Sequence, residues 1–189
     1  MGLYFGGKLV SPVVTKEVAK TKFGASADTW IGDVDANGVL NKTTWKGALN
    51  FAGVKEIGTK GLYYTFYELK GITSVDLSSL TTVGIDSMYY AFCHCTGITS
   101  VNLSSLQSVG DKGLAYAFYN CKLLTAISFP SLTDVQTNSF GSSTYEGAFR
   151  NCAALTEIHF RADMQATIEA MSQYADKWGA TNATIYFDL

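Results

Sequence analysis

With 189 residues, 47% of them hydrophobic and 16% charged, the chain is long enough for one domain with a sizeable core. A formal net charge of −2 does not provide the basic stripe of nucleic-acid modules, so no nucleic-acid partner is expected. Only 2 prolines beside 18 glycines give no disordered signature, and without a run of 18 apolar residues no membrane insertion is expected.

The chain opens without a basic head followed by an apolar run, so no signal peptide is visible. Nor is there an anchor, because Gly6 stands where a myristoylation motif wants Ser or Thr. The expectation is a protein that is cytoplasmic as synthesised or carried in a particle. Residues 1–48 read as a β-rich N-terminal cap. Leu3 to Phe5 and Leu9 to Val10 flank Gly6 and Gly7, a hairpin pattern. Trp30 to Val34 and Val39 to Leu40 flank Asn37 and Gly38, a second one. Asp33, Asp35 and Asn37 match the front of a calcium loop, with Gly38 at its sixth position. Thr44 stands where the bidentate Glu belongs, so the hairpin reading is preferred and no metal or other cofactor is expected.

From Leu49 the sequence repeats. Residues 75–100 and 101–126 align without a gap at a period of 26. A further copy lies at 49–74, and one of 31 residues at 127–157. Four columns stay apolar: Leu49/Val75/Val101/Ile127, Phe51/Leu77/Leu103/Phe129, Ile57/Val83/Val109/Val135 and Phe66/Phe92/Phe118/Phe149. One coil cannot bury such a set, whereas stacked coils share a continuous core. Ile98, Val101 and Leu103 predict a short strand with Ser100 and Asn102 facing outward. Met88 and Phe92, like Leu114 and Phe118, are four apart, which predicts a short helix or 3₁₀ turn in each coil. The five extra residues of the long copy lie between Phe140 and Phe149 and predict a loop that leaves the stack undisturbed.

Residues 158–189 read as the C-terminal cap. Met164, Ile168, Met171, Ala175 and Trp178 mark one helix face, with Asp163 as N-cap and Gly179 at its end. Ile185, Phe187 and Leu189 alternate as a last strand, which reads as a natural terminus. The expected whole is one α/β repeat solenoid, capped at both ends.

The same register yields the candidate binding surfaces. Ser74, Ser100, Ala126 and Glu157 form one outward row on the strands, and Asp76, Asn102, Ser128 and His159 another. Tyr64, Tyr90 and Tyr116 are one repeat apart, beside Tyr63 and Tyr89. Tyrosine offers large contact area and a polar tip, suited to protein or sugar recognition. The alternative is that the rings pack along the stack and only their hydroxyls are wet. Cys95, Cys121 and Cys152 share one column and predict a ladder of buried free thiols, a metal or disulfide being the alternatives. Cys93 is expected to be the more accessible thiol. His94 and His159 are the two histidines, and no nucleophile, P-loop or zinc motif accompanies them, so no catalytic residue and no enzyme is expected.

Ile98, Val101 and Leu103, then Val109 and Gly110, then Ala117, Phe118, Cys121 and Leu124 resemble the BspA-type leucine-rich repeat. The resemblance covers about residues 49–160, with a longer period in the Ala117–Phe118 region. It implies a leucine-rich-repeat right-handed coil with short parallel strands. The capped short form looks like repeat proteins of gut-associated bacteria and their prophages. Family members are commonly surface, adhesion or ligand-binding proteins. The function it implies is a non-enzymatic recognition or adhesion module for a protein or glycan. The alternative is a self-associating subunit of a phage or prophage particle.

Overall fold

The computed structural model describes residues 4–5, 8–9, 47–51 and 54–189. Two short strands at the start, β1 (Tyr4–Phe5) and β2 (Lys8–Leu9), pair antiparallel, as the Gly6–Gly7 hairpin pattern predicts. The second hairpin and the calcium candidates Asp33, Asp35 and Asn37 lie outside the described residues.

From Gly47 onward the chain winds as a parallel-strand solenoid of about five turns. Each repeat contributes two strands and a long run of turns. The first strands are β3 (Gly47–Asn50), β5 (Ile72–Asp76) and β7 (Ser100–Asn102) in one parallel sheet. They continue as β9 (Ala126–Phe129), β11 (Glu157–Phe160) and β12 (Thr184–Phe187) in another. The second strands are β4 (Glu56–Ile57), β6 (Thr82–Val83), β8 (Ser108–Val109) and β10 (Asp134–Val135), a four-stranded parallel sheet. Register follows the sequence columns: Val75 pairs with Val101, Val83 with Val109 and Ile127 with Ile158. The repeat period therefore fixes which residues are neighbours.

Between the second strand of one coil and the first of the next lies a ribbon of turns rather than the short helix or 3₁₀ turn that the four-residue spacing predicts. The amides of Lys60, Leu62, Tyr64, Phe66 and Glu68 donate to carbonyls of the next coil, and those of Gly61, Tyr63, Thr65 and Leu69 close turns on residues three back. Every fourth residue is left-handed: Lys60, Tyr64 and Glu68, then Asp86, Tyr90 and His94, then Lys112, Tyr116 and Asn120, with φ from 50 to 63°. The ribbon thus repeats every four residues. A four-residue repeat and a 3.6-residue helix place Met88 and Phe92 on the same side over a single turn, which is why sequence spacing does not separate them.

The inward side is a column of rings. Phe66 and Phe92 stack at 5.3 Å, Phe92 and Phe118 at 5.7 Å, Phe118 and Phe149 at 6.1 Å, all within 9° of parallel. Each is fully buried. Burying a phenylalanine contributes about 1.5–3 kcal/mol, so this column and the buried leucines dominate the stability of the stack.

The C-terminal segment departs from the predicted single helix. A 3₁₀ turn (Ala162–Met164) leads into α1 (Gln165–Glu169), and the chain then turns repeatedly before a second 3₁₀ turn at Lys177–Gly179. Left-handed Gln173, Lys177 and Trp178 break the helical path. Met164, Ile168, Met171 and Trp178 are buried as expected, whereas Ala175 is exposed. Asp163 does not cap; it pairs with Arg161, which itself occupies the N-cap position. Gly179, with φ 87°, ends the second 3₁₀ turn. The wide indole of Trp178 explains the departure. It reaches Phe140 at 4.8 Å and Phe160 at 6.0 Å, while its Nε1 donates to the Ser172 carbonyl at 2.9 Å. Strand β12 then pairs in register with β11, with Ile185 and Phe187 half-buried and Leu189 exposed. Among the described residues no helix is long and apolar enough to cross a membrane.

Candidate recognition surface

The outer side of the turn ribbon carries the tyrosines. Tyr64, Tyr90 and Tyr116 each sit at a left-handed position, with φ of 56, 56 and 53°. A side chain there costs about 1–2 kcal/mol relative to ordinary backbone. Ring stacking offsets it: Tyr64 and Tyr90 lie 4.5 Å apart at 22°, Tyr90 and Tyr116 4.1 Å apart at 12°. Such pairs contribute about 0.5–1.5 kcal/mol each. A second column, Tyr63 on Tyr89, stacks at 5.2 Å and 4°. Tyr89 meets Tyr116 edge-on at 5.4 Å, which binds the two columns into one slab. Tyr67 and Tyr119 flank His94 at 5.5 and 5.1 Å, and Asn120 Nδ2 lies 2.8 Å from His94 Nδ1.

All of these rings are half-buried. The structure therefore combines the two readings of the tyrosine row: the rings pack along the stack and still present an outer edge. Burial, with Tyr63 nearby, pushes the Tyr64 hydroxyl up to about 12. Burial raises Tyr89 and Tyr90 too, with neighbouring Glu146 and Tyr116 adding to it. These hydroxyls stay protonated at physiological pH and can donate hydrogen bonds.

The strand rows lie where the alternation places them. Ser74 pairs with Ser100 and Asp76 with Asn102. Asp76 Oδ1 accepts from the Ser78 amide at 3.0 Å and Asn102 Oδ1 from the Ser104 amide at 3.1 Å. Those two side chains thus serve the turns after their strands. No hydrogen bond or ring contact among the described residues joins this row to the tyrosines.

Cys95, Cys121 and Cys152 form the expected ladder of free thiols. Each Sγ donates to a carbonyl of the preceding coil, that of Phe66, Phe92 or Phe118, at 3.0, 3.4 and 3.0 Å. Cys93 is as buried as the others, which corrects the expectation of an accessible thiol. Burial pushes the thiols of Cys93, Cys121 and Cys152 up, so none is primed as a nucleophile. Among the described residues no three of His, Cys, Asp and Glu converge as a metal site.

Spacing alone does not reveal the neighbourhood of the long copy. Its extra residues carry Glu146 back to Lys112, at 3.1 Å, with Ser142 donating to the same carboxylate. Arg150 lies over the rings of Tyr145 and Tyr119, 5.0 and 5.8 Å from their centroids. The contacts of Glu146 and Tyr145 depend on how the insertion folds back, and no motif announces them, whereas Tyr119 and Arg150 share the repeat position after Phe118 and Phe149.

Parallel ladders stacked coil on coil around a ring-filled core define a leucine-rich-repeat solenoid, a class that presents extended surfaces. Residues 53–146 match the family model described as BspA type leucine rich repeat region (6 copies). Over that span the chain is a BspA-type leucine-rich repeat protein. No curated protein and no solved structure matches the chain.

Proposed function

We propose that the chain is a non-enzymatic recognition module that binds a protein or glycan through the tyrosine slab, with residues 1–48 and 158–189 as its two caps. Repeat solenoids of this family are typically interaction scaffolds, which supports the general reading. One observation carries the choice of face: three tyrosines at left-handed positions are stacked at 4.1–4.5 Å. Rings already ordered by one another lose little freedom on binding, and their edges give apolar contact beside hydroxyl donors.

Glycan and protein arrays probed with the full chain identify binders. The combined Tyr90→Ala and Tyr116→Ala variant is expected to lose those signals while its melting remains cooperative. Signals that survive in the folded double variant would move recognition to another face. Strand β12, paired on one side only by β11 and exposing Tyr186, supports the second reading, a self-associating subunit. Light scattering separates the two. A mass that does not change with concentration favours the binding module, and a growing assembly favours the subunit.

A further inference from the structure

A cleft of about 350 Å³ opens between the end of the long copy and the C-terminal segment, lined by Thr144, Arg150, Asn151, Thr181 and Asn182. That volume is at the lower end of small-ligand sites, roughly 300–1,000 Å³. Its polar groups are amide, hydroxyl and guanidinium, a donor-rich set, beside Cys152, Ala153 and Gly179. Two cations stand beside the insertion, and they differ. Lys112 is paired with Glu146 at 3.1 Å, whereas Arg150 pairs with no carboxylate among the described residues. Arg150 is held instead by ring faces, Tyr145 at 5.0 Å and Tyr119 at 5.8 Å. Its stem is fixed from the other side: a Cβ at Gly179 would stand 2.7 Å from Arg150 Cα and Cβ. Asn151 Nδ2 donates to the Tyr119 hydroxyl at 3.2 Å, and Asn182 Nδ2 to the Ala153 carbonyl at 3.1 Å, which orders both walls. Thr144 already contacts Gln173 and Asp176, so Arg150 is the group left to read charge.

We propose that this cleft binds an acidic sugar, its carboxylate on the Arg150 guanidinium and its hydroxyls on the amides and hydroxyls of the walls. A guanidinium ordered by ring faces keeps its fork of N–H donors free for a bidentate carboxylate. The exposed Tyr145 ring, 68% accessible, positions the Arg150 guanidinium 5.0 Å from its centroid. The site touches the tyrosine stack only through Tyr119, which meets Tyr116 edge-on at 6.1 Å, and Arg150→Gln leaves every stacked tyrosine in place, so its test and that of the stack are distinguishable.

The test is calorimetry and ligand-observed NMR on the full chain with sodium glucuronate and N-acetylneuraminate, against glucose, galactose and acetate. The acidic sugars are expected to bind with Kd on the order of 1 mM, and the neutral sugars and acetate about tenfold more weakly. Arg150→Gln should weaken the acidic sugars about tenfold, and Arg150→Lys less, because the charge remains but the fork is lost. Tyr145→Ala, at an exposed position that folding does not need, should weaken them several-fold. The proposal is overturned if no acidic sugar binds, if glucose binds as well as glucuronate, or if Arg150→Gln and Tyr145→Ala both bind like the parent. Binding of an N-acetylated dipeptide in place of the sugars would overturn it as well.

Discussion

From Lys60 to His94 each coil-to-coil bond of the turn ribbon joins residues 25 apart; from Tyr116 to Asn120 the span is 30. The strict coils and the long coil keep the same inward column, Phe66 to Phe149, at nearly constant spacing. Their outer sides differ. In the strict coils a tyrosine stacks on its own copy, so the surface is uniform and apolar-edged. In the long coil Gly147 replaces the tyrosine, and the inserted residues bring a salt bridge and an arginine onto rings. A solenoid can therefore change its surface chemistry locally without changing its core, because the core depends on columns and the surface on what lies between them.

Removing a core ring should have the largest effect. Phe92→Ala takes out a fully buried side chain that stacks on both neighbours, and about 3–5 kcal/mol of stability should be lost by denaturant titration. A loss below about 1 kcal/mol would mean the coils do not share one core. Gly147→Ala comes next. Its Cβ would collide with the Trp178 carbonyl oxygen, which accepts from the Phe149 amide at 3.1 Å. About 1–3 kcal/mol should be lost, with hydrogen exchange quickening in residues 164–180 and not in the strict coils. Equal quickening everywhere would show that the two regions unfold as one unit.

The salt bridge gives a smaller, pH-dependent effect. Burial works to raise the Glu146 carboxyl, but hydrogen bonds from Ser142 and Lys112 outweigh it and hold the carboxyl below its ordinary value. A depressed carboxyl contributes stability above its unfolded value, near 4.5, that is lost as pH falls through the folded one. The melting temperature should therefore fall less with acid in Glu146→Gln than in the parent below about pH 4.5. Parallel acid profiles would remove the bridge from the account. The smallest effect is in the strict coils. Ser87 Oγ is buried without a hydrogen-bond partner among the described residues, and Ser87→Ala should stabilise by about 1 kcal/mol. A destabilised variant would mean that the hydroxyl has a partner such as bound water.

The sequence by itself determined the solenoid, the inward columns and the strand register. A 26-residue period sets each strand residue beside its own copy in the next coil, as the pairing of Val75 with Val101 shows. It determined the thiol ladder for the same reason. Only the tertiary structure decided three things. Met88 and Phe92 sit on a turn ribbon because inter-coil hydrogen bonds replace those of a helix, and local spacing cannot express bonds to residues 25 away. The C-terminal helix ends at Glu169 and gives way to turns because the Trp178 indole must reach Phe140 and Phe160 in the last coils. Arg150 meets Tyr145 because an insertion folds back across a coil, and periodicity carries no information about residues outside the period, whereas its place over Tyr119 follows the Phe118–Phe149 column.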